Sequence, residues 1–286
     1  MTMRLRRRAI SLCALLLLGT ALTWGQSGGD GEPGEDEDLN LFERFLRWRE
    51  ARIERTDTYQ LNLTGAGYAA LQDLRMSPRI YRAPGFVTVS EQRDYRPRES
   101  FLQSFFFQFA YPITEETLAL EESYLNTRGT LDFIYLRRVR ELPLQVGGGL
   151  SGTGNLRTLN SLQNSALNYD IVVSLEAAGR WQQEFSLLGR PAEWHVQALT
   201  PLFSWVMRQP AYNVSYAGTS QMWAFPWDLY RFRLSAGFTR LLDRSEENRF
   251  SVEYAYDFYG LSEPDVTQRL SLGNHSIVLG YAMKTK

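Results

Sequence analysis

Residues 229–259 hold one hairpin in which every second side chain is apolar and mostly aromatic. Tyr230, Phe232, Leu234, Ala236 and Phe238 share one face of its first strand, and Arg231, Arg233, Ser235, Gly237 and Thr239 share the other. The second strand sets Phe250, Val252, Tyr254, Tyr256 and Phe258 against Ser251, Glu253, Ala255 and Asp257. A period of two over so many residues dictates β-strand. Strands this long and greasy on one side suggest the wall of a barrel in an outer membrane.

The same alternation recurs from Thr58 onward. Tyr59, Leu61 and Leu63 alternate with Gln60, Asn62 and Thr64, and a weaker strand covers 83–93 around Val87 and Val89. Residues 100–112 set Phe101, Phe105, Phe107, Phe109 and Tyr111 on one face. Residues 128–138, 142–149, 168–187, 194–206 and 268–283 complete the set with the hairpin, about ten strands in all. Connections near 94–99, 139–141, 188–191 and 243–247 are short, those near 71–82, 113–127, 154–167 and 208–226 are long, and 261–267 is intermediate. Short and long alternate as in bacterial barrels with tight periplasmic turns and longer external loops.

Alternation alone leaves open which row faces in, because a lipocalin-like barrel or a β-sandwich has the same period with the apolar row inward. Three features favour the membrane. Several strands reach the roughly 9–11 residues that a tilted membrane strand needs, against about 5–6 in soluble proteins. The polar row mixes Gly, Ala and Ser with charges, as suits a narrow lumen. Aromatics recur near strand ends at Tyr59, Tyr111, Tyr169, Trp194, Tyr230 and Tyr281, where interface girdles belong. The expected fold class is therefore all-β: an antiparallel transmembrane β-barrel of about ten strands with a short N-terminal amphipathic helix.

The N-terminal region supports export. Arg4, Arg6, Arg7 and Arg8 precede an apolar run from Ala9 to Leu22, and Thr23 and Gly25 place small residues for cleavage before Gln26. Residues 1–25 thus read as a signal peptide that carries away Cys13, the one cysteine. Its four arginines take the formal charge from −1 to about −5, which gives no support for nucleic-acid binding. Residues 26–38 form an acidic, Gly-rich leader too polar to bury a core. In 39–56, Leu39, Phe42, Phe45, Leu46 and Ile53 fall near one helical face among Arg44, Arg47, Arg52 and Arg55. This periplasmic amphipathic helix would pack on the barrel mouth, lie on the inner leaflet or dock a partner. The barrel itself spans 57–286.

On these features the chain resembles the small outer-membrane β-barrel proteins of Gram-negative bacteria, over the signal peptide and nearly all of 58–286. Such barrels close with an aromatic-rich last strand; Tyr281 fits, while Met283 takes the second aromatic position and Lys284 to Lys286 trail beyond. The resemblance implies residence in the bacterial outer membrane with lipids as partners.

Candidate chemistry concentrates in the polar row. Asp132, Asp170, Glu176, Arg180, Glu184, Arg231, Arg233, Glu253 and Asp257 must pair or meet water inside a narrow barrel. Glu253 and Asp257 are the expected partners of Arg231 and Arg233. The bland reading is a structural salt-bridge network; the sharper one is a selectivity filter. His195 falls on the polar row at the periplasmic end of its strand. His275 has the parity of Ile277 and Tyr281, with Ser276 turned to the opposite face, which is poor geometry for a lipase-like pair. The 208–227 loop carries Tyr212, Tyr216, Met222, Trp223, Phe225 and Trp227, an aromatic density suited to contact with a glycan, a lipid headgroup or another protein. Capping of the barrel or an outer girdle is the plainer use. No phosphate loop, zinc spacing or nucleotide fingerprint occurs, so neither cofactor nor metal is expected. The leading expectation is a non-enzymatic envelope structural or binding barrel, one form of which is a subunit of a surface complex with an envelope protein docked at 39–55 or 208–227. A narrow channel for small solutes is second, and a lipid- or peptide-modifying hydrolase third.

Overall fold

The structure, a computed structural model, describes residues 57–74, 77–95, 99–110, 124–140, 142–159, 167–209, 220–242, 248–262 and 269–285. The signal peptide, leader and amphipathic helix read from the sequence lie outside the described residues. Eleven antiparallel strands form: β1 Asp57–Asp73, β2 Ser77–Tyr95, β3 Glu99–Ala110, β4 Tyr124–Arg138, β5 Leu144–Leu159, β6 Leu167–Leu187, β7 Arg190–Arg208, β8 Ser220–Ala224, β9 Leu229–Leu241, β10 Asn248–Leu261 and β11 Leu270–Lys284. No helix occurs among the described residues.

The sheet closes on itself. From β1 to β8 each strand pairs with the next, β9 pairs with β7 and β10, β10 pairs with β11, and β1 pairs with β11 from Tyr59↔Lys284 to Asp73↔Leu270. Ten staves make the wall, because β8 and β9 share one. β9 pairs with the lower half of β7 and β8 with its upper end, and the chain steps out between them at 225–228. There Phe225 O accepts from the N–H groups of Asp228 and Leu229, while Asp228 Oδ2 accepts from Phe225 N–H. A second irregularity lies between β6 and β7, where Leu175 faces Phe203 but Glu176 faces Pro201. Leu202 is the extra residue of this bulge.

The β2–β3, β4–β5, β6–β7 and β9–β10 turns lie at one end, with the first residue of β1 and the last of β11, whereas the short 74–76 connection lies at the other. The tightest joins β6 to β7 through Leu188 (φ 53°) and Gly189 (φ 72°). Two successive positive φ values match the right-handed strand twist in a two-residue hairpin, and Leu188 meets no obstacle because it is exposed. By the alternation of turn lengths this end is periplasmic.

The structure revises two connections. The stretch near 71–82 is strand almost throughout, leaving a connection at 74–76 only. Pro84 falls within β2, and among the described residues the β3 pairing reaches no higher than Gly85↔Ala110. A position without a ladder partner on one side tolerates proline. Likewise β5 continues to Leu159 through Gly152 and Gly154, with Ser151, Thr153, Asn155 and Arg157 turned inward.

Candidate functional site: a packed lumen and an aromatic outer face

On β3 to β11 the apolar row faces out and the charged row faces in. Phe232 is 44% exposed and Tyr254 39%, whereas Arg231 on the same strand as Phe232 is 3% exposed. Phe101, Phe105, Phe109, Leu131, Phe133, Leu150, Ile171, Val173, Ile277 and Tyr281 continue the outer band. A closed antiparallel wall that shows hydrocarbon outside and buries arginine inside is built for a bilayer. This is an outer-membrane β-barrel. Trp194 and Tyr230 stand on its outer face as girdle residues, but Tyr59 turns inward and Tyr111 lies outside the described residues.

The lower part of β1 reverses the rule, and on β2 Val87 also turns in, although Glu91 and Arg93 keep their charges inward. Tyr59, Leu61, Leu63 and Val87 are buried in the lumen, while Asn62, Thr64 and Phe86 face out. The lumen at this level is filled by hydrocarbon: Leu61, Leu63, Val87, Val278 and Ala282 pack together with Val89 and Phe106. Alternation sets the period of a strand but not its phase, and packing sets the phase here.

From the external end downward, the lumen is filled in layers. The uppermost holds a four-residue ion cluster. Arg157 Nη1 and Nη2 donate to Asp170 Oδ2 (2.5 Å) and Oδ1 (2.8 Å), and its Nε lies 3.0 Å from Asp73 Oδ2. Arg208 Nε donates to Asp170 Oδ1 (2.8 Å). These four side chains are at most 1% exposed, two positive and two negative. Leu71, Tyr81, Leu159, Val172, Val206, Ala224, Leu229, Tyr259, Leu261, Leu270 and Leu272, drawn from strands all round the wall, pack into one apolar cluster beside them.

The middle layer is a web across the barrel. Arg128 and Arg231 both engage Asp257, the latter at 3.4 Å, and Arg231 Nη1 also donates to Thr153 (2.7 Å). Arg233 reaches Asp132 (2.6 Å) and Glu176 (3.4 Å), and Gln108 donates to Asn274 (2.8 Å). Below it come the apolar clusters, the second formed by Leu102, Ile134, Leu136, Ala178 and Leu199. The lowest layer joins Arg93 with Glu91 and Glu253 (3.6 Å) and Arg180 with Glu193 (3.3 Å) and Gln197 (3.3 Å). His195 sits between Glu193 and Glu253, 3.9 Å from each. Gly237 leaves room for its ring, since a Cβ there would lie 2.3 Å from His195 Cε1. At the periplasmic mouth Arg249 lies over the Tyr59 ring (4.0 Å) and donates to its hydroxyl (2.7 Å). A cavity of about 250 Å³ opens there, lined by Glu184, Pro191, Ala192, Glu193, Thr239, Leu241 and Arg249.

Of the nine charged residues expected in the lumen, Asp132, Asp170, Glu176, Arg180, Arg231, Arg233, Glu253 and Asp257 point into it. Glu184 does not join them: it is exposed on the mouth, where β6 runs past the filled section. The expected pairing is also revised. Arg231 meets Asp257, but Arg233 reaches across to β4 and β6, and Glu253 belongs to Arg93. Long guanidinium arms span a narrow lumen more easily than they fold back on a neighbouring strand. Sequence reasoning missed Asp73, Arg93, Arg128, Arg157 and Arg208; strand parity was the available signal for Arg93 and Arg128, while the other three fell in stretches read as connections.

On the outer face, rings run in a row. Trp223 stacks on Phe203 (centroids 5.0 Å apart), Phe203 meets Phe225 (5.4 Å), and Phe225 stacks on Trp227 (4.9 Å). Trp223 is 64% exposed. Tyr212 and Tyr216 lie outside the described residues. His275 faces out, its Nδ1 2.6 Å from Tyr254 Oη and its ring 4.8 Å from that of Tyr256. Ser276 is buried on the opposite face.

No protein-family model matches the sequence, and neither does a curated relative. Solved barrels resemble the fold at low scores. Neisserial surface protein A is 8% identical over 79% of this chain and 96% of its own, with a TM-score of 0.34. The translocator domain of the autotransporter NalP from Neisseria meningitidis is 8% identical over 85% and 95%, with a TM-score of 0.40. An outer membrane channel from Pseudomonas putida F1 is 9% identical over 89% and 99%, with a TM-score of 0.37. At these scores the likeness carries nothing about function.

Proposed function

We propose that this barrel is a non-conducting envelope component that works through its outer surfaces rather than its lumen. The observation that carries this reading is the Asp73–Arg157–Asp170–Arg208 cluster, fully buried and charge-balanced in the external third of the lumen. An ion entering here would have to part guanidinium–carboxylate pairs that have no water to replace them. The aromatic row Trp223–Phe203–Phe225–Trp227 is the binding surface, suited by its flat stacked rings to a glycan or lipid headgroup at the external rim. The reading takes the chain as a binding protein and not a hydrolase, supported by His275 having, among the described residues, a tyrosine hydroxyl as its hydrogen-bond partner.

Planar-bilayer recording of the purified full chain tests the lumen. The expected result is no steady current; stepwise, reproducible conductance would overturn the reading in favour of a solute channel. Binding of lipopolysaccharide vesicles by wild type and Trp223→Ala tests the surface, with affinity expected to fall about tenfold on loss of one stacked ring.

A further inference from the structure

The lower part of the outward face of β1 and β2, below the exposed Tyr68 and Phe86, is polar where the neighbouring wall is greasy. Thr58, Gln60, Asn62 and Thr64 on β1 stand beside Asp94, Gln92, Ser90 and Thr88 on β2, and all face out. They bond to one another: Thr58 Oγ1 donates to Asp94 (3.0 Å), Gln60 Nε2 to Ser90 Oγ (3.1 Å), Ser90 Oγ to Asn62 Oδ1 (3.0 Å) and Gln92 Nε2 to Asp94 (3.1 Å). The register shows that this stripe lies within the hydrocarbon band. On one side Asn62 is opposite Tyr281, Thr64 opposite Leu279 and Gln60 opposite Met283. On the other, Thr88 is opposite Phe107, Ser90 opposite Phe105 and Asp94 opposite Phe101. Those flanking residues are the apolar outer band.

Amides facing acyl chains are costly, because lipid offers no hydrogen bonds. The internal bonds leave that cost in place. Among the described residues Gln60 and Gln92 each donate once, and Asn62 only accepts. From this stripe we infer that β1 and β2 form the interface of a homodimer, with the same stripe of a second copy as occupant. Amides and hydroxyls both donate and accept, so the surface is complementary to itself across a two-fold axis. Its one carboxylate, Asp94, is already held by Thr58 and Gln92, so the axis brings no free like charges together. The flanking Phe105, Phe107, Leu279 and Tyr281 form an apolar rim that meets lipid around the polar centre. This goes beyond the reading of the lumen and stands independently of it: a steady current would sink that reading and leave this one untouched.

Cysteine crosslinking of the full chain in outer-membrane vesicles tests it, in a Cys13→Ser background. Oxidation of Asn62→Cys is expected to give a disulfide dimer, whereas Val173→Cys, outward on β6 on a different part of the wall, gives none. A Gln60→Leu/Asn62→Leu/Ser90→Leu variant is expected to keep a heat-modifiable barrel, since it restores an ordinary apolar wall. Its dimer dissociation constant in lipid is expected to rise at least about tenfold. Crosslinking at Asn62 no greater than at Val173, an unchanged dissociation constant, or an adduct of Asn62→Cys with a different protein would each overturn the homodimer. If the triple variant does not fold, the contrast between the two cysteines still decides.

Discussion

Arg157 hydrogen-bonds Asp170 through two nitrogens and Asn168 through Nη2 (3.2 Å), and its Nε lies 3.0 Å from Asp73 Oδ2 as an ion pair. Such a pair adds little net stability over a hydrophobic substitute, but removing one member strands the other charge. Arg157→Met leaves both aspartates short of a cation, and the expected loss is about 3–5 kcal/mol of unfolding free energy in lipid vesicles. Urea titration followed by tryptophan fluorescence checks it. A change below about 1 kcal/mol would mean that Arg208 alone holds both carboxylates. Gly237 makes a second residue-scale case. Gly237→Ala drives a methyl into the His195 ring at 2.3 Å, with an expected cost of about 1–3 kcal/mol. In the double variant with His195→Ala that cost should largely vanish, because the two side chains contend for one space.

At the scale of elements, the ten staves were legible in the sequence and the eleventh strand was not. Period-two alternation over Phe101–Phe109 or Tyr230–Phe238 admits no other backbone, whereas β8 is five residues in an aromatic loop with no alternation of its own. Phase was harder. Tyr59, Leu61 and Leu63 look like an outer row, and only the packing of Leu61 and Leu63 on Val87 and Val278 turns them inward. The partners of the charges were out of reach for a related reason. Arg128 meets Asp257 across 129 positions and Arg233 meets Asp132 across 101, and neither separation leaves a local trace. The inversion has a measurable sign. Leu61→Ala empties lumen space and is expected to cost about 2–5 kcal/mol, while Leu131→Ala, on the lipid face, costs less because acyl chains refill the gap. Equal losses at the two sites, in the same urea assay, would count against an inward Leu61.

For the molecule as a whole, the layering places most of its ionic bonds in the packed lumen, away from mobile salt, with Lys284–Asp57 an exposed exception. Exposed pairs weaken as ionic strength rises, but buried ones are screened far less. Raising sodium chloride from about 0.1 to 1 M is therefore expected to move the unfolding free energy by less than about 1 kcal/mol. A steep decline would place water, and so a conduit, among Arg128, Asp257 and Arg233.

The seam between β1 and β11 carries a consequence for biogenesis. Fifteen consecutive residue pairs, Tyr59↔Lys284 through Asp73↔Leu270, join the two ends of the folded chain. Until the last of them has left the ribosome, the opening strand has an orphan edge and nothing to zip against. Every hairpin between can form locally, yet closure must await a contact of the greatest separation available, which is entropically slow. The ribbon whose two margins have yet to meet is thus the form that lasts longest before the barrel seals.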